Sequence, residues 1–526
     1  MFGRIKEYKN HLKNFIYPAV VFGIITGVFT ALVVTLFKLC AKHITALNSK
    51  GIDFLREHLY ILPVVLAGLF VAALMFSQVY KRYHGLKGGG IPTSIGILRG
   101  EINFRWFQNL VGTFILSLVS FLIGVPLGTE GPAVQMGTVI GRGCLAGHLK
   151  KHKAWDRYSM TGGACAGFSV ATGAPISGVL FAIEEAHQKI SPMIFTVASV
   201  SVITAQTLSK VLSPVLGISE KLFTPRTLAI LDYEQLWIPV VVGVVFGLFS
   251  VLFLRCYNFL SRILKKIPNK KYRQYKIFAV FALSVLLGIV SESFVSTGHH
   301  FAEELFVKSP GVLMLVLILI VRTILTLSAN ISGITGGLFL PIMAIGAALA
   351  SITGNVLISL GLGTDYYSLI ISLGVGACIA SMMKMPLTAI MFSLEVLSCT
   401  ENVLPVIIVV AVSYIFTEVF NAKSINEIVI EKRAEENNAG KKRTVIDTHV
   451  TVEHNSFAEG KLVRDILWPS NLFVLSVKST KEEYSHIDVH GDSVLSAGDI
   501  IHIRYSTFDR KHSENEISDI VGKQGT

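Results

Sequence analysis

Charge is scarce in this chain of 526 residues: Asp, Glu, Lys and Arg together make up 16%, against roughly 25% in typical soluble domains. Hydrophobic residues supply 52% and the mean hydropathy is +0.59. These values exclude a soluble or disordered chain. Cysteine is sparse as well. The six cysteines, Cys40, Cys144, Cys165, Cys256, Cys378 and Cys399, form no CxxC pair, and most sit in or beside apolar runs, so they read as small buried hydrophobes and not as a metal or redox site. There is no HExxH, no GxSxG and no paired intramembrane Asp, so an enzyme is not expected. A TVGYG-like carbonyl filter is also missing, which argues against a potassium pathway. No cleavable signal peptide is apparent, and the basic opening MFGRIKEYKNHLKNF predicts a cytoplasmic N-terminus.

The charge that is present is unevenly placed. Residues 427–526 hold 13 Lys and Arg against 17 Asp and Glu, and residues 1–426 hold 34 against 18. The density of charge rises more than twofold across one point, which sets a domain boundary near 427. An integral membrane part spans 1–426, a polar linker 427–443, and a soluble tail 444–526. The net charge of +12 sits between apolar runs, where membrane topology explains it, so no nucleic-acid partner is expected; the partner is the lipid bilayer.

The clearest apolar runs are Phe15–Phe37, Tyr60–Phe76, Trp106–Leu127, Leu236–Leu254, Ile277–Val290, Val312–Val321 and Val403–Phe416. Others are short or broken by Gly and Pro: Gly131–Gly147, Gly162–Glu184, Gly336–Leu360 and Pro386–Leu397. A full span needs about 20 apolar residues. Shorter segments mark discontinuous helices, whose ends stop inside a bilayer only where they line a cavity. Arg255–Lys276 carries eight Lys and Arg and no acid, a cytoplasmic signal; Lys81–Arg105 and Arg142–Arg157 are also basic, whereas Ser219–Glu234 fits the opposite side.

An internal repeat is visible. Pro175–Glu184 (PISGVLFAIE) matches Pro386–Glu395 (PLTAIMFSLE), Gly163-Ala164-Cys165 echoes Gly376-Ala377-Cys378, and Gly128–Pro132 (GTEGP) echoes Gly337–Pro341 (GLFLP). The order is the same in both, with halves of about 15–215 and 235–426. Two related halves meeting at a central site form a transporter architecture, of parallel or inverted repeats.

Three Gly-Pro segments could handle an anion: Gly88–Pro92 (GGGIP), Gly128–Pro132 (GTEGP) and Gly336–Pro341 (GGLFLP). Glycine lets the backbone approach a ligand, and proline favours the first helical turn. Unpaired N–H groups at the start of such a helix favour negative charge. Three helix starts aimed at one point would hold a dehydrated anion without a full positive charge, which suits an ion that must leave.

These motifs, with the IEE at 183–185, resemble the CLC family of chloride channels and chloride/proton exchangers from about residue 15 to 426. The resemblance implies an all-α membrane protein, an inverted repeat of tilted and discontinuous helices, working as a homodimer with one pathway per subunit. It implies that Glu130 is the gate that competes with anions and carries the proton, and that Glu185 passes protons from the cytoplasm, as in exchangers. Glu184 and Glu395, related by the repeat, read as structural. The anion contacts implied are the backbone N–H groups of Gly88, Gly89, Thr129, Glu130, Gly131, Leu338, Phe339 and Leu340, with Asn426 at the position of a central tyrosine. The chain departs from the family pattern at Gly89, which replaces a serine, at Asn426, and at Thr129, where arginine is common at the outer mouth.

In the tail, Val445–Val452, Leu472–Val477, His486–Val489 and Ile500–Tyr505 suit strands, and Gly460–Leu467 and Glu514–Val521 suit short helices, giving a small α+β cytoplasmic domain. Gly491–Ile501 (GDSVLSAGDII) and Glu459–Leu462 resemble a TrkA-C (RCK-C) domain. That likeness implies dimerisation and a small regulatory ligand, such as the cyclic dinucleotide cyclic di-AMP, in a bacterial plasma membrane; no other cofactor is implied. The readings are an anion/proton antiporter carrying chloride or another small anion against protons, a passive ligand-gated anion channel of the same fold, and, weaker, a potassium transporter.

Overall fold

Residues 16–102, 104–145, 154–266, 269–438, 443–469, 471–479, 486–488 and 490–522 are described by the structure, a computed structural model. The basic opening segment and Val489 of the third expected strand lie outside them. The apolar runs become helices. The first half holds α1 (Tyr17–Glu57), α2 (Leu62–Arg82), α3 (Ile91–Leu98), α4 (Trp106–Leu122), α5 (Glu130–Leu145), α6 (Ala154–Thr172), α7 (Pro175–Phe181) and α8 (Pro192–Val215). The second holds α9 (Trp237–Lys265), α10 (Asn269–Val290), α11 (His299–Leu305), α12 (Val312–Ser332), α13 (Phe339–Ser359), α14 (Tyr367–Met383), α15 (Pro386–Glu395) and α16 (Val403–Val419). Among the described residues, eight helical segments are long and apolar enough to cross a membrane. Helix α1, at 41 residues, runs about 60 Å, twice a hydrocarbon core of about 30 Å, so it crosses at a slant and projects beyond.

The repeat governs both packing and backbone. Helix α5 packs on α6 as α13 packs on α14, and α1 on α8 as α9 on α16. Gly124 and Gly333, equivalent in the two halves, both turn left-handed ahead of their Gly-Pro segments, at φ +80° and +82°. Gly173 and Lys384 do the same after α6 and α14, at +75° and +56°. A side chain resists this conformation; the Lys384 ammonium is held there by Glu418 at 2.8 Å.

The halves are joined reciprocally. Gly128 N–H donates to Gly337 O at 2.7 Å, and Gly337 N–H donates to Gly128 O at 2.9 Å. Both residues hold the same place in the repeat, so a local two-fold axis passes between them, the relation of an inverted repeat. Glu395, at the end of α15, accepts the N–H groups of Ile176 and Ser177 at 2.8 and 2.9 Å and the Ser177 hydroxyl at 2.7 Å. Glu184 accepts those of Leu387 and Thr388, both at 2.8 Å. Each carboxylate caps the first turn of the other half's short helix, where N–H groups lack intrahelical partners.

Two sequence expectations change here. The polar stretch from 427, read as a linker, is helical as part of α17 (Ile425–Asn437). Ser424 caps it by accepting the Glu427 N–H at 3.0 Å, and Ile425, Ile428, Val429 and Ile430 are buried, so one apolar face overrides the charged composition. The tail forms an antiparallel sheet ordered β1-β4-β2-β3, with β1 (Thr444–Thr451), β2 (Leu472–Lys478), β3 (His486–Asp488) and β4 (Ile500–Thr507), followed by α18 (Arg510–Val521). The helix expected over Gly460–Leu467 is only a short turn, Val463–Asp465. Its backbone is drawn into pairing instead: Gly460 N–H donates to Leu495 O at 2.7 Å and Leu495 N–H to Lys461 O at 3.0 Å.

Removing the Glu395 carboxylate leaves two amides and a hydroxyl without their acceptor. Glu395→Ala should cost about 1.5–3 kcal/mol and lower the thermal unfolding midpoint in detergent. Glu395→Gln, which keeps one acceptor oxygen, should lose less. An unfolding midpoint for Glu395→Ala equal to that of the native chain would refute the role of the cap.

Candidate functional site

The three Gly-Pro segments meet backbone to backbone. A Cβ on Gly131 would stand 2.6 Å from Gly337 Cα and 2.9 Å from Gly90 Cα. One on Gly90 would stand 3.2 Å from Gly131 Cα, and one on Gly337 would stand 2.7 Å from the Gly131 nitrogen. No larger residue fits at these contacts, so the starts of α3, α5 and α13 converge because glycine is at each.

The segments are held in different ways. Gly90 N–H donates to Gln135 Oε1 at 2.7 Å, and Gln135 Nε2 donates to Gly85 O at 3.0 Å. Gln135, on α5, thus pins the GGGIP loop to a neighbouring segment. The amides of Gly89, Glu130, Gly131, Leu338, Phe339 and Leu340 donate to no carbonyl among the described residues, as expected at helix starts. Gly88 departs from the expectation. Its N–H donates to Gly333 O at 2.7 Å, because the left-handed turn ending α12 brings that carbonyl to it. It is therefore not free for an anion.

Glu130 is the first residue of α5 and is fully buried. Its Oε1 accepts the Thr129 hydroxyl at 3.0 Å. Its Oε2 is buried without a hydrogen-bond partner among the described residues and lies where a Cβ on Gly128 would stand 2.6 Å from it. A carboxylate thus stands at the meeting point of α5 and α13. Phe339 walls the junction, packed edge-on to Phe168 and Phe392 with centroids 5.2 and 5.5 Å away.

Glu185 lies in a π-helical turn, Ala182–Ala186, that follows α7. Such turns widen a helix and often mark functional positions. Here the turn gives two adjacent glutamates separate partners: Glu184 caps α15, while buried Glu185 accepts the Asn426 side-chain N–H at 2.9 Å. Asn426, expected on the central anion, stands in the first turn of α17 with its side-chain amide on Glu185. Nearby, Arg99 at the end of α3 pairs with Glu427 at 2.9 Å.

Gly89 has φ +34°, and a Cβ there would stand 2.9 Å from Thr335 Cγ2. The Thr335 methyl fills the room a serine would take. Thr335 itself is fixed by Tyr80, whose hydroxyl lies 2.7 Å from Thr335 Oγ1 and accepts the Thr335 N–H at 2.9 Å. Neither residue was singled out in the sequence.

Two basic cavities flank the junction. One is lined by Lys38, Lys42, Thr129, Lys221, His299 and Leu340; Lys38 and Lys42 donate to the carbonyls of Val170 at 3.0 Å and Gly217 at 2.6 Å. These lysines place positive charge beside Thr129. The other is lined by Lys87, Tyr257, Lys265, Lys276, Lys432 and Arg433. The loop lining the first leads into Trp237, whereas Lys265 lies at the far end of α9, a helix of 29 residues and about 43 Å. The cavities therefore open on opposite faces.

The tail docks on the membrane part beside Glu185. The Tyr158 hydroxyl donates to Asp465 O at 2.5 Å and accepts the Leu467 N–H at 2.9 Å, and Lys189 donates to Ile466 O at 2.9 Å. Lys189 is four residues past Glu185.

Residues 72–418 match the family model described as voltage gated chloride channel, Voltage_CLC. The chain belongs to the CLC family. Its fold is similar to that of a slow cyanobacterial Cl−/H+ antiporter, with a TM-score of 0.71 and 22% identity over 81% of this chain and 99% of the other. It is similar also to a eukaryotic CLC transporter, at 0.64 and 20% over 79% and 74%, and to a CLC-type fluoride/proton antiporter, at 0.63 and 22% over 76% and 95%. At these identities the likeness is one of fold. In this CLC chain the two repeat-related loops and the GGGIP loop together make the junction.

A methyl group at Gly131 would push apart all three segments. Gly131→Ala should destabilise the protein by about 1–3 kcal/mol through overpacking, read as a lower unfolding temperature in detergent. Gly89→Ser should also destabilise, and adding Thr335→Ala should recover part of the loss. A Gly131→Ala protein as stable as the native one would contradict the close contact.

Proposed function

We propose that this chain carries small anions, chloride first among them, across the membrane in exchange for protons. The observation that supports it most is the Glu130 carboxylate at the junction of helix starts whose amides have no carbonyl partner. A carboxylate there mimics an anion, so the two compete for one place. Protonation neutralises the side chain and releases it, and the site then accepts an inorganic anion held by amides of α5 and α13. Partial dipoles in place of a fixed charge bind without trapping. Glu130, Gly131, Leu338, Phe339 and Leu340 are the amides in this role, with Gly89 and Thr129 beside them.

Glu185 is the proton entry. It is a buried acid next to α17 and the docked tail, and Asn426 holds its carboxylate in one orientation. The basic stretch Arg255–Lys276 favours a cytoplasmic location for that end. A homodimer fits the apolar surface on α7, α8, α15 and α16, where Ile176, Phe195, Leu387 and Ile407 are exposed. Residues 444–526 form the regulatory domain of TrkA-C type, sensing a cyclic dinucleotide or another small ligand through its contact beside Glu185. A passive anion channel is the second reading; Gly89 and Asn426 favour it, since neither puts a hydroxyl on the central anion.

Flux from proteoliposomes with an imposed chloride gradient, recorded with proton movement, tests this. Glu130→Gln should abolish anion-driven proton movement and leave anion flux. Glu185→Gln should cut proton movement sharply while chloride continues to run down its gradient. Equal loss of both fluxes in Glu185→Gln would assign it a structural role, and native protein that moves chloride without protons would decide for the channel. Tyr158→Phe removes one hydroxyl from the tail's dock. It should change the ligand response of flux, and raise the rate of proteolytic release of the tail, without changing anion preference; a tail as protected as in the native chain would refute the dock.

A further inference from the structure

Arg255 stands where a lone cation is out of place. On α9 the residues Leu248, Leu252, Arg255, Phe259 and Arg262 follow at steps of four and three, so they share one helix face. Leu252 and Phe259, on either side of Arg255, are 63% and 62% exposed, and Ile263 beyond them is exposed as well. The apolar surface therefore continues past Arg255, and the helix runs on to Lys265, about 15 Å further. Arg255 is itself exposed, at the level of the surrounding lipid. It has no hydrogen bond or ion pair among the described residues. A cation at that level pairs with an anion or lines a polar cavity.

Such a cavity, of about 430 Å³, opens beside it between α9, the end of α16 and α17. Arg255, Lys265, Lys423 and Lys432 line it, with Glu431 and Glu435 as its acids. Both acids are taken, Glu431 by Lys423 at 2.6 Å and Glu435 by Lys265 at 3.4 Å. Lys432 is bonded only to neutral groups, Asn258 Oδ1 at 3.1 Å and the Tyr257 ring at 4.2 Å. Two cations, Arg255 and Lys432, thus share one cavity without an acid of their own. Exposed apolar residues lead away from it along both walls, Leu248 and Leu252 on α9 and Ile415 and Val419 on α16. We propose that this cavity holds the phosphate of an anionic phospholipid, with its acyl chains along the apolar groove between α9 and α16. The charge suits a phosphodiester, which a guanidinium binds through paired N–H donors, and basic pockets between helices at the cytoplasmic side take such headgroups. The two apolar walls select a lipid over a soluble phosphate. A bound headgroup clamps the end of α9 to α17, the helix that carries Asn426 onto Glu185.

The test uses full-length protein in a non-ionic detergent, with phosphatidylglycerol or phosphatidylcholine added and the thermal unfolding midpoint recorded. A ligand that binds only the folded chain raises that midpoint according to its affinity. Phosphatidylglycerol should raise it in the native chain, and phosphatidylcholine should not. Arg255→Gln should increase the phosphatidylglycerol needed for half the effect by about tenfold or more, the loss expected for a hydrogen bond to a charged group. Lys432→Gln should act in the same direction, and Arg255→Lys should recover part of the loss. Arg262→Gln removes a cation from the same helix face outside the cavity and should respond as the native chain does. Equal protection by the two lipids, or a loss in Arg262→Gln as large as in Arg255→Gln, overturns the site in favour of general attraction between basic protein and lipid. Equal protection by inorganic phosphate or glycerol phosphate at the same concentration overturns the lipid as occupant. If Arg255→Gln does not fold, a native response in Lys432→Gln overturns the site. Binding is read here without ion flux, so the anion-exchange reading stands or falls separately.

Discussion

Backbone contact at Gly90, Gly131 and Gly337 is the constraint on which the rest of this molecule depends. Three chain segments touch with no side chain between them, so three helix starts point their amides into one small volume. Several of these amides donate to no carbonyl, and an amide buried without any partner costs about 1–3 kcal/mol. Such a volume is stable only with negative charge in it. Glu130 supplies such a charge from the chain itself, as the buried first residue of α5.

Charge is arranged around this point by distance. At the junction there are dipoles and one carboxylate; farther out, Lys38, Lys42 and Lys221 on one face, and Lys87, Lys265, Lys276 and Lys432 on the other. Potential falls toward the centre from both sides, which draws anions in without holding them at the narrowest place. Arg433 is the exception, a buried cation brought up to Gly88 at the edge of the junction by a helix outside the repeat.

The sequence carried the frame of this arrangement because its key signals are local. Gly-Pro segments and repeat spacing identified the junction residues, and alternating runs identified the strands of the tail. What stayed hidden were groups whose role comes from packing. Gln135 and Thr335 are ordinary polar residues until the fold brings one onto the Gly90 amide and the other against Gly89. Arg433 lies in a stretch of charged residues that reads as solvated, and only the buried Ile428–Ile430 face reveals that α17 turns it inward. Gly88 and Asn426 matched their motifs, yet Gly333 and Glu185 claim their hydrogen bonds. A motif fixes which atoms are near a site, and competing partners decide which of them remain free.

The exchanged caps of Glu184 and Glu395 have a mechanical consequence. Each half of the chain completes the helix start of the other, and the Gly128–Gly337 bridge ties the same two halves at their centre. Rocking one half against the other, as many inverted-repeat carriers do, would break seven hydrogen bonds at once. The molecule is in effect a single bolted frame. The parts that these bonds do not hold are the Glu130 side chain, α17 and the tail.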